Sequence, residues 1–178
     1  MQQGPPYDLS HHTLQDSESH YFLGKRYLLD VVQTDTKPSV FLRNKKVLVL
    51  QVNEDTGIEE REQLLASWYR KEMKKLLPGI IRKWEVKSGL KVKAFGIKRM
   101  KTKWGSCNPE QKRIWLNLEL IKKPMNCLEY IVVHEMVHFL ERQHNNNFIK
   151  HMDRIMPQWR TFKTDLTRSP LVHEDWEY

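Results

Sequence analysis

Near the C-terminal end of the chain, the stretch from His134 to Asp153 holds four histidines within a helical pattern that an asparagine run interrupts. His134 and His138 are four residues apart. On a helix this spacing stacks two imidazoles on one face, about one turn apart, where they can share a small cation. Glu135 follows His134 and is turned about 100° around the axis. That offset keeps its carboxylate out of the ligand set but within reach of a water on the ion. The motif is H-E-x-x-H, the arrangement in which two histidines hold zinc and the glutamate serves as general base. Its flanks, IVVHEMVHFL, are apolar nearly all round. Such a helix is buried, and a buried helix does not carry two histidines and a glutamate without partners.

A catalytic zinc keeps three protein ligands and one open position for water, so a third ligand is required. Glu141, His144 and His151 are the candidates. Glu141 lies one turn beyond His138, and His151 two turns further along a second helix. His144 is preferred, because Asn145, Asn146 and Asn147 accept the left-handed backbone that would bring the chain round. With the three imidazoles holding one Zn²⁺, the fourth position takes a water whose pKa falls toward ~7 and whose proton Glu135 can accept.

Several elements must hold these residues in place. The runs from Tyr21 to Gln33 and from Pro38 to Val52 are rich in β-branched and aromatic residues, and suggest three short strands in a meander that turns at Arg43–Lys46. Thr56 to Glu59 has the pattern of a capping box, and Leu65, Met73, Leu76, Ile80 and Trp84 recur at helical spacing. A long helix follows, kinked or broken at Pro78. Lys91 to Cys107 and Arg113 to Ile121 form the arms of a β-hairpin about an Asn-Pro turn, with Trp115, Asn117 and Glu119 on its outward face. Asn126, with Glu129 three residues on, caps the helix of the H-E-x-x-H motif, which is expected to run to about Arg142. A further helix extends from Phe148 to Pro157.

The chain has 178 residues and a formal charge of +8, with 39% hydrophobic and 29% charged residues. This suits one folded domain. Residues 1–20 are expected to be a flexible leader, 21–160 the domain and 161–178 a tail. No apolar run approaches the roughly 20 residues of a membrane span, and the N-terminus lacks the marks of a signal peptide. A soluble, cytoplasmic protein without membrane association is expected. Cys107 and Cys127 lack a metal-binding or disulfide-framework spacing and are expected to be reduced.

Between Arg70 and Lys103 the only acids are Glu72 and Glu85, among many lysines and arginines. Such a field can attract nucleic acid or polyphosphates, although on the helical part a solvated face is the simpler explanation. In an extended strand Arg99, Lys101 and Lys103 would share one face at about 6.6 Å intervals. That row could clamp phosphates, and Trp104, like Trp115 and Trp159, could stack on a base or fill the core.

The segments MKTKWGSC, LELIKKP and YIVVHEMVHFLERQHNNNFIKHMDRIMPQW together resemble the YgjP-like metallopeptidase domain, a relative of the SprT and WLM zincin-like groups. The resemblance runs from about Tyr21 to about Trp159. In that family H-E-x-x-H is followed by His-x-x-x-Phe, here His144 and Phe148, which supports His144 as third ligand. The spacing from His138 to His144 also equals that of metzincins, but Glu141 stands where those proteins have the glycine of the turn. The resemblance implies an α+β, zincin-like domain in which a mixed or antiparallel sheet packs on the long helix and the H-E-x-x-H helix. It also implies a bound zinc, one ion per chain, and a metallopeptidase-like hydrolase. The substrate would be a peptide or, through the basic row, a phosphorylated small molecule. A structural zinc in a nucleic-acid-binding module is the non-enzymatic alternative.

Overall fold

The structure is a computed structural model and describes residues 18–168. The leader up to residue 17 and the tail from residue 169, with Pro170, His173, Trp176 and Tyr178, lie outside the described residues. The order is β1 (Ser19–Phe22), β2 (Lys25–Gln33), β3 (Ser39–Arg43), β4 (Val47–Val52), α1 (Ile58–Ser88), β5 (Ala94–Lys98), β6 (Gly105–Asn108), β7 (Arg113–Asn117), a 3-10 turn (Leu118–Lys122), α2 (Met125–Val137), α3 (Asn146–Ile155) and α4 (Trp159–Arg168). This is an α+β fold. Two compact units divide it, the first made of 18–20 and 26–65, the second of 21–25 and 66–168.

The N-terminal sheet has four strands in the order β1-β2-β4-β3, and it is not the three-stranded meander that alternation suggested. β2 and β4 pair in parallel, and β3 returns antiparallel along the outer side of β4. Burial explains the order. Leu48, Val49, Leu50 and Val52 of β4 are all buried, so this strand is apolar on both faces and takes an interior place. β3 exposes Phe41 and Arg43 and suits the edge.

α1, whose residues 66–88 lie in the second unit, continues through Pro78, so the expected break there is absent. A mid-helix proline removes one hydrogen bond at a cost of about 3 kcal/mol. Pro78 is on the exposed side of the helix, while Met73, Leu77, Ile80, Ile81 and Trp84 are buried on the other. Each such side chain contributes about 1.5–3 kcal/mol, so the packed face outweighs the lost bond. The helix starts just after Gly57, whose carbonyl accepts from Arg61 N–H, while the Thr56 hydroxyl accepts from Asn53 N–H. The capping box is therefore not formed.

The second sheet has the order β5-β7-β6. The expected hairpin is β6–β7, antiparallel, whereas β5 lies parallel to β7 on its other side. The chain must therefore cross from one flank of β7 to the other between Lys98 and Gly105, so no strand spans that interval. Asn117, expected to face outward, is fully buried and holds this crossing. Its side-chain amide donates to the carbonyls of Met100 (3.0 Å) and Lys103 (2.8 Å), and its own N–H donates to that of Trp104 (2.8 Å). The 3-10 turn replaces the end of the second hairpin arm, with the Asn117 side chain accepting from Glu119 N–H.

α2 begins at Pro124 without a side-chain cap. Asn126 instead donates to Asp165 of α4, and Glu129 accepts from Lys83 and from the Trp84 indole of α1. Cys127 to Val137 are buried except Glu129, so α2 runs through the core of this unit. Tyr69, Met73, Leu77, Ile114, Leu116, Leu128, Ile131 and Val132 are members of one apolar cluster. Both cysteines are free thiols. Because Leu77 is wholly enclosed in this cluster, Leu77→Ala is expected to lower stability by about 2–5 kcal/mol in denaturant unfolding.

Candidate active site

α2 ends at Val137 rather than near Arg142, and His138 is its C-cap, still in helical conformation (φ −63°, ψ −12°). The final turn tightens, with the Val137 carbonyl accepting from both Leu140 and Glu141 N–H. Asn145 then caps α3, its side-chain oxygen accepting from Asn147 and Phe148 N–H. The asparagine run acts here as a helix start, and His144 stands just before it.

Three imidazoles converge. The Nε2 atom of His134 lies 3.2 Å from that of His138 and 2.9 Å from that of His144. One nitrogen from each of the three falls within 4.8 Å of the others. His138 Nδ1–H donates to the Glu141 carbonyl oxygen at 3.0 Å. A carbonyl only accepts, so Nδ1 carries the proton and Nε2 presents its lone pair toward the other two rings. The Phe148 ring packs against all three, with centroid separations of 4.9, 4.8 and 4.8 Å from His134, His138 and His144. One turn earlier on α2, Tyr130 meets the edge of His134 and stacks on Trp159 at 6.3 Å.

The electrostatics favour neutral rings. Burial holds His134 down to about 2, with His138, His144 and Lys163 adding to the effect. His138 and His144 are lowered as well, chiefly by burial. Neutral imidazoles whose nitrogens crowd one point form a donor set suited to a soft or borderline cation such as Zn²⁺.

Of the other ligand candidates, Glu141 has a different task. Its carboxylate accepts from Gln143 N–H at 3.1 Å, within the turn that carries His144. His151, on α3, is not a member of the converging group.

Glu135 is 2% exposed. Burial pushes its carboxyl up to about 8, and the Lys103 ammonium opposes the shift. Its side chain lies against bare backbone: a methyl group on Gly105 would come within 2.6 Å of Oε1 and 2.9 Å of Cγ. Gly105 starts β6, and only a residue without Cβ lets that strand approach α2 so closely. A glycine inside a strand is the sequence mark of such an approach.

β6 and the helix end enclose a cleft of about 560 Å³ lined by Lys103, Gly105–Glu110, His134, Glu135, His138, Arg142 and His144. Arg142 and Glu110 were not singled out by motif; neither has a spacing that marks it, and they pair at 3.4 Å across the cleft rim. Of the three residues read as a basic strand, only Lys103 lines the cleft. Arg99 and Lys101 are exposed on the crossing segment, so the row does not exist. Trp104 is 5% exposed and belongs to the core. Trp115 covers Gly96, with Lys98 and Arg113 against its ring. Cys107 lines the cleft as a thiol that burial and Glu135 push up to about 11.

Residues 7–169 match the family described as YgjP-like, metallopeptidase domain. No curated protein matches the chain. Among solved structures, the metallopeptidase zymogen abylysin of Pyrococcus abyssi aligns at 14% identity with a TM-score of 0.47, over 51% of this chain and 90% of that one. The metallopeptidase zymogen jannalysin of Methanocaldococcus jannaschii aligns at 20% identity with a TM-score of 0.45, over 51% and 93%. The family match spans nearly the whole sequence, including all the residues of the converging group. The chain belongs to the YgjP-like metallopeptidase domain family and is a metal-dependent hydrolase.

Proposed function

We propose that this chain is a zincin-like zinc metallopeptidase in which His134, His138 and His144 hold one Zn²⁺ and Glu135 is the general base. The observation that carries the reading is the convergence of three Nε2 atoms, one of them with its tautomer set by the Glu141 carbonyl. When bound, zinc would polarise a substrate carbonyl and lower the pKa of water. The rest falls to the protein. Glu135 follows the first ligand on α2, and its buried carboxyl has a raised pKa that suits it to take a proton and return it near neutral pH. Gly105 limits where that carboxylate can go. Phe148 keeps one side of the imidazole cluster dry.

The substrate reading follows from β6. It is hydrogen-bonded to β7 on one side and has no strand on the other among the described residues. Because it also lines the cleft, an extended peptide could pair along residues 106–108 on the side away from β7, beside Glu135. A polyphosphate clamp loses its support with the row of Arg99, Lys101 and Lys103. The basic field of α1 is partly neutralised locally, Lys75 by Glu72 and Lys83 by Glu129. No helix among the described residues is long and apolar enough to cross a membrane.

Glu135→Gln should retain zinc at wild-type stoichiometry in metal analysis yet lose at least about 100-fold in kcat on an unstructured protein substrate. His144→Ala should lose zinc, with chelation abolishing wild-type activity and added zinc restoring it; persistence of activity without metal would defeat the reading. Gly105→Ala should destabilise by about 1–3 kcal/mol in unfolding measurements. That penalty should shrink in a Glu135→Ala background, where the added methyl has room.

A further inference from the structure

We propose that Lys103 is a carboxylate-binding residue of the cleft, so that this enzyme prefers peptides carrying a carboxylate close to the bond it cuts. The inference rests on the peptidase reading and adds a substrate class to it.

Charge balance in the cleft points to this residue. The lining has two basic side chains, Lys103 and Arg142, and two carboxylates, Glu110 and Glu135. Arg142 and Glu110 neutralise one another at the rim. Glu135 is buried, and its carboxyl feels the Lys103 ammonium, which opposes the rise in its pKa, although no ion pair joins the two. Lys103 is therefore the basic side chain of the lining that holds no ion pair among the described residues, and it faces the space a substrate would enter. A single ammonium matches a single negative charge; Arg99 and Lys101, which a polyphosphate would also need, lie outside the lining.

The backbone beneath Lys103 is held more firmly than a solvated surface lysine requires. Its carbonyl accepts from the amide of the fully buried Asn117, which also holds Met100, and the next residue, Trp104, is a core side chain. Lys103 thus stands on a fixed support two residues before Gly105, the residue whose backbone contacts Glu135. The fold thus fixes the backbone that presents the ammonium, while the exposed side chain is ordered only when a carboxylate binds. On an open surface such a pair contributes little, but a bound peptide would exclude water from it and strengthen it.

The carboxylate could come from an Asp or Glu side chain or from a peptide's C-terminus. To separate these sources, end-blocked nonapeptides of Gly, Ala, Ser and Leu would carry one Glu or one Gln at each position in turn, with further copies bearing a free C-terminus. Cleavage by zinc-loaded wild type, Lys103→Met and Lys103→Glu would be compared. The expected result is a preference of about tenfold in kcat/KM for a carboxylate at one position, expressed mainly in KM, abolished in Lys103→Met and replaced by a preference for Lys-bearing peptides in Lys103→Glu. A preference that survives in Lys103→Met, or none in wild type while Gln peptides are cut, would overturn the assignment. Binding of the same fluorescently labelled peptides to Glu135→Gln and to Glu135→Gln/Lys103→Met reads the site without turnover. Equal binding of Glu and Gln peptides by both proteins overturns the carboxylate site. Selective binding without cleavage of any peptide by wild type leaves that site standing and removes the peptidase reading.

Discussion

The structure turns on one constraint: an ionisable pair, His134 and Glu135, occupies consecutive positions on a helix whose surroundings are almost wholly apolar. Desolvation makes a charge on either residue costly, and neither can turn to solvent without unseating α2 from the core. Each is therefore met by a specific structure. His134 meets two further imidazoles, Phe148 and Tyr130, while Glu135 meets the bare backbone of Gly105. The α2 termination, the turn before α3 and the crossing that starts β6 all converge on these two residues.

A second regularity is that several polar side chains of the second unit organise backbone where the chain is irregular. Asn117 holds the crossing segment on one side and starts the 3-10 turn on the other. Asn145 starts α3, and Glu141 supports the turn bearing His144. Buried backbone groups need partners, and short side-chain amides and carboxylates supply them where no ladder or helix can. The irregular segments around the cleft are in this way as well specified as the helices.

Much of the site was legible in the sequence because it depends on short-range spacing. His134, Glu135 and His138 follow from helical geometry within one turn, whereas the left-handed asparagine backbone expected to bring His144 round is not formed: Asn145 is extended and caps α3, and Asn146 and Asn147 belong to that helix. The β6–β7 hairpin followed from its Asn-Pro turn. What was not legible depends on pairings distant in sequence. Nothing local in Lys91–Cys107 reveals that β5 and β6 flank opposite sides of β7, so the basic residues between them were read as one strand. Asn117 was assigned outward by alternation, although the crossing loop needed a buried donor there. Pro78 illustrates the opposite error, a strong local signal overridden by packing on the far side of α1. Arg142 and Glu110 join the cleft only through the fold.

The tie between His138 and Glu141 has one more implication. A single residue both orients the second imidazole, through its carbonyl, and braces the bend leading to the third, through its carboxylate. The interval between those two imidazoles is consequently a spacer of set length. Insertion or deletion of one amino acid between His138 and Glu141 would break the first attachment, and between Glu141 and Gln143 the second, so the residue count of this link is constrained at both steps.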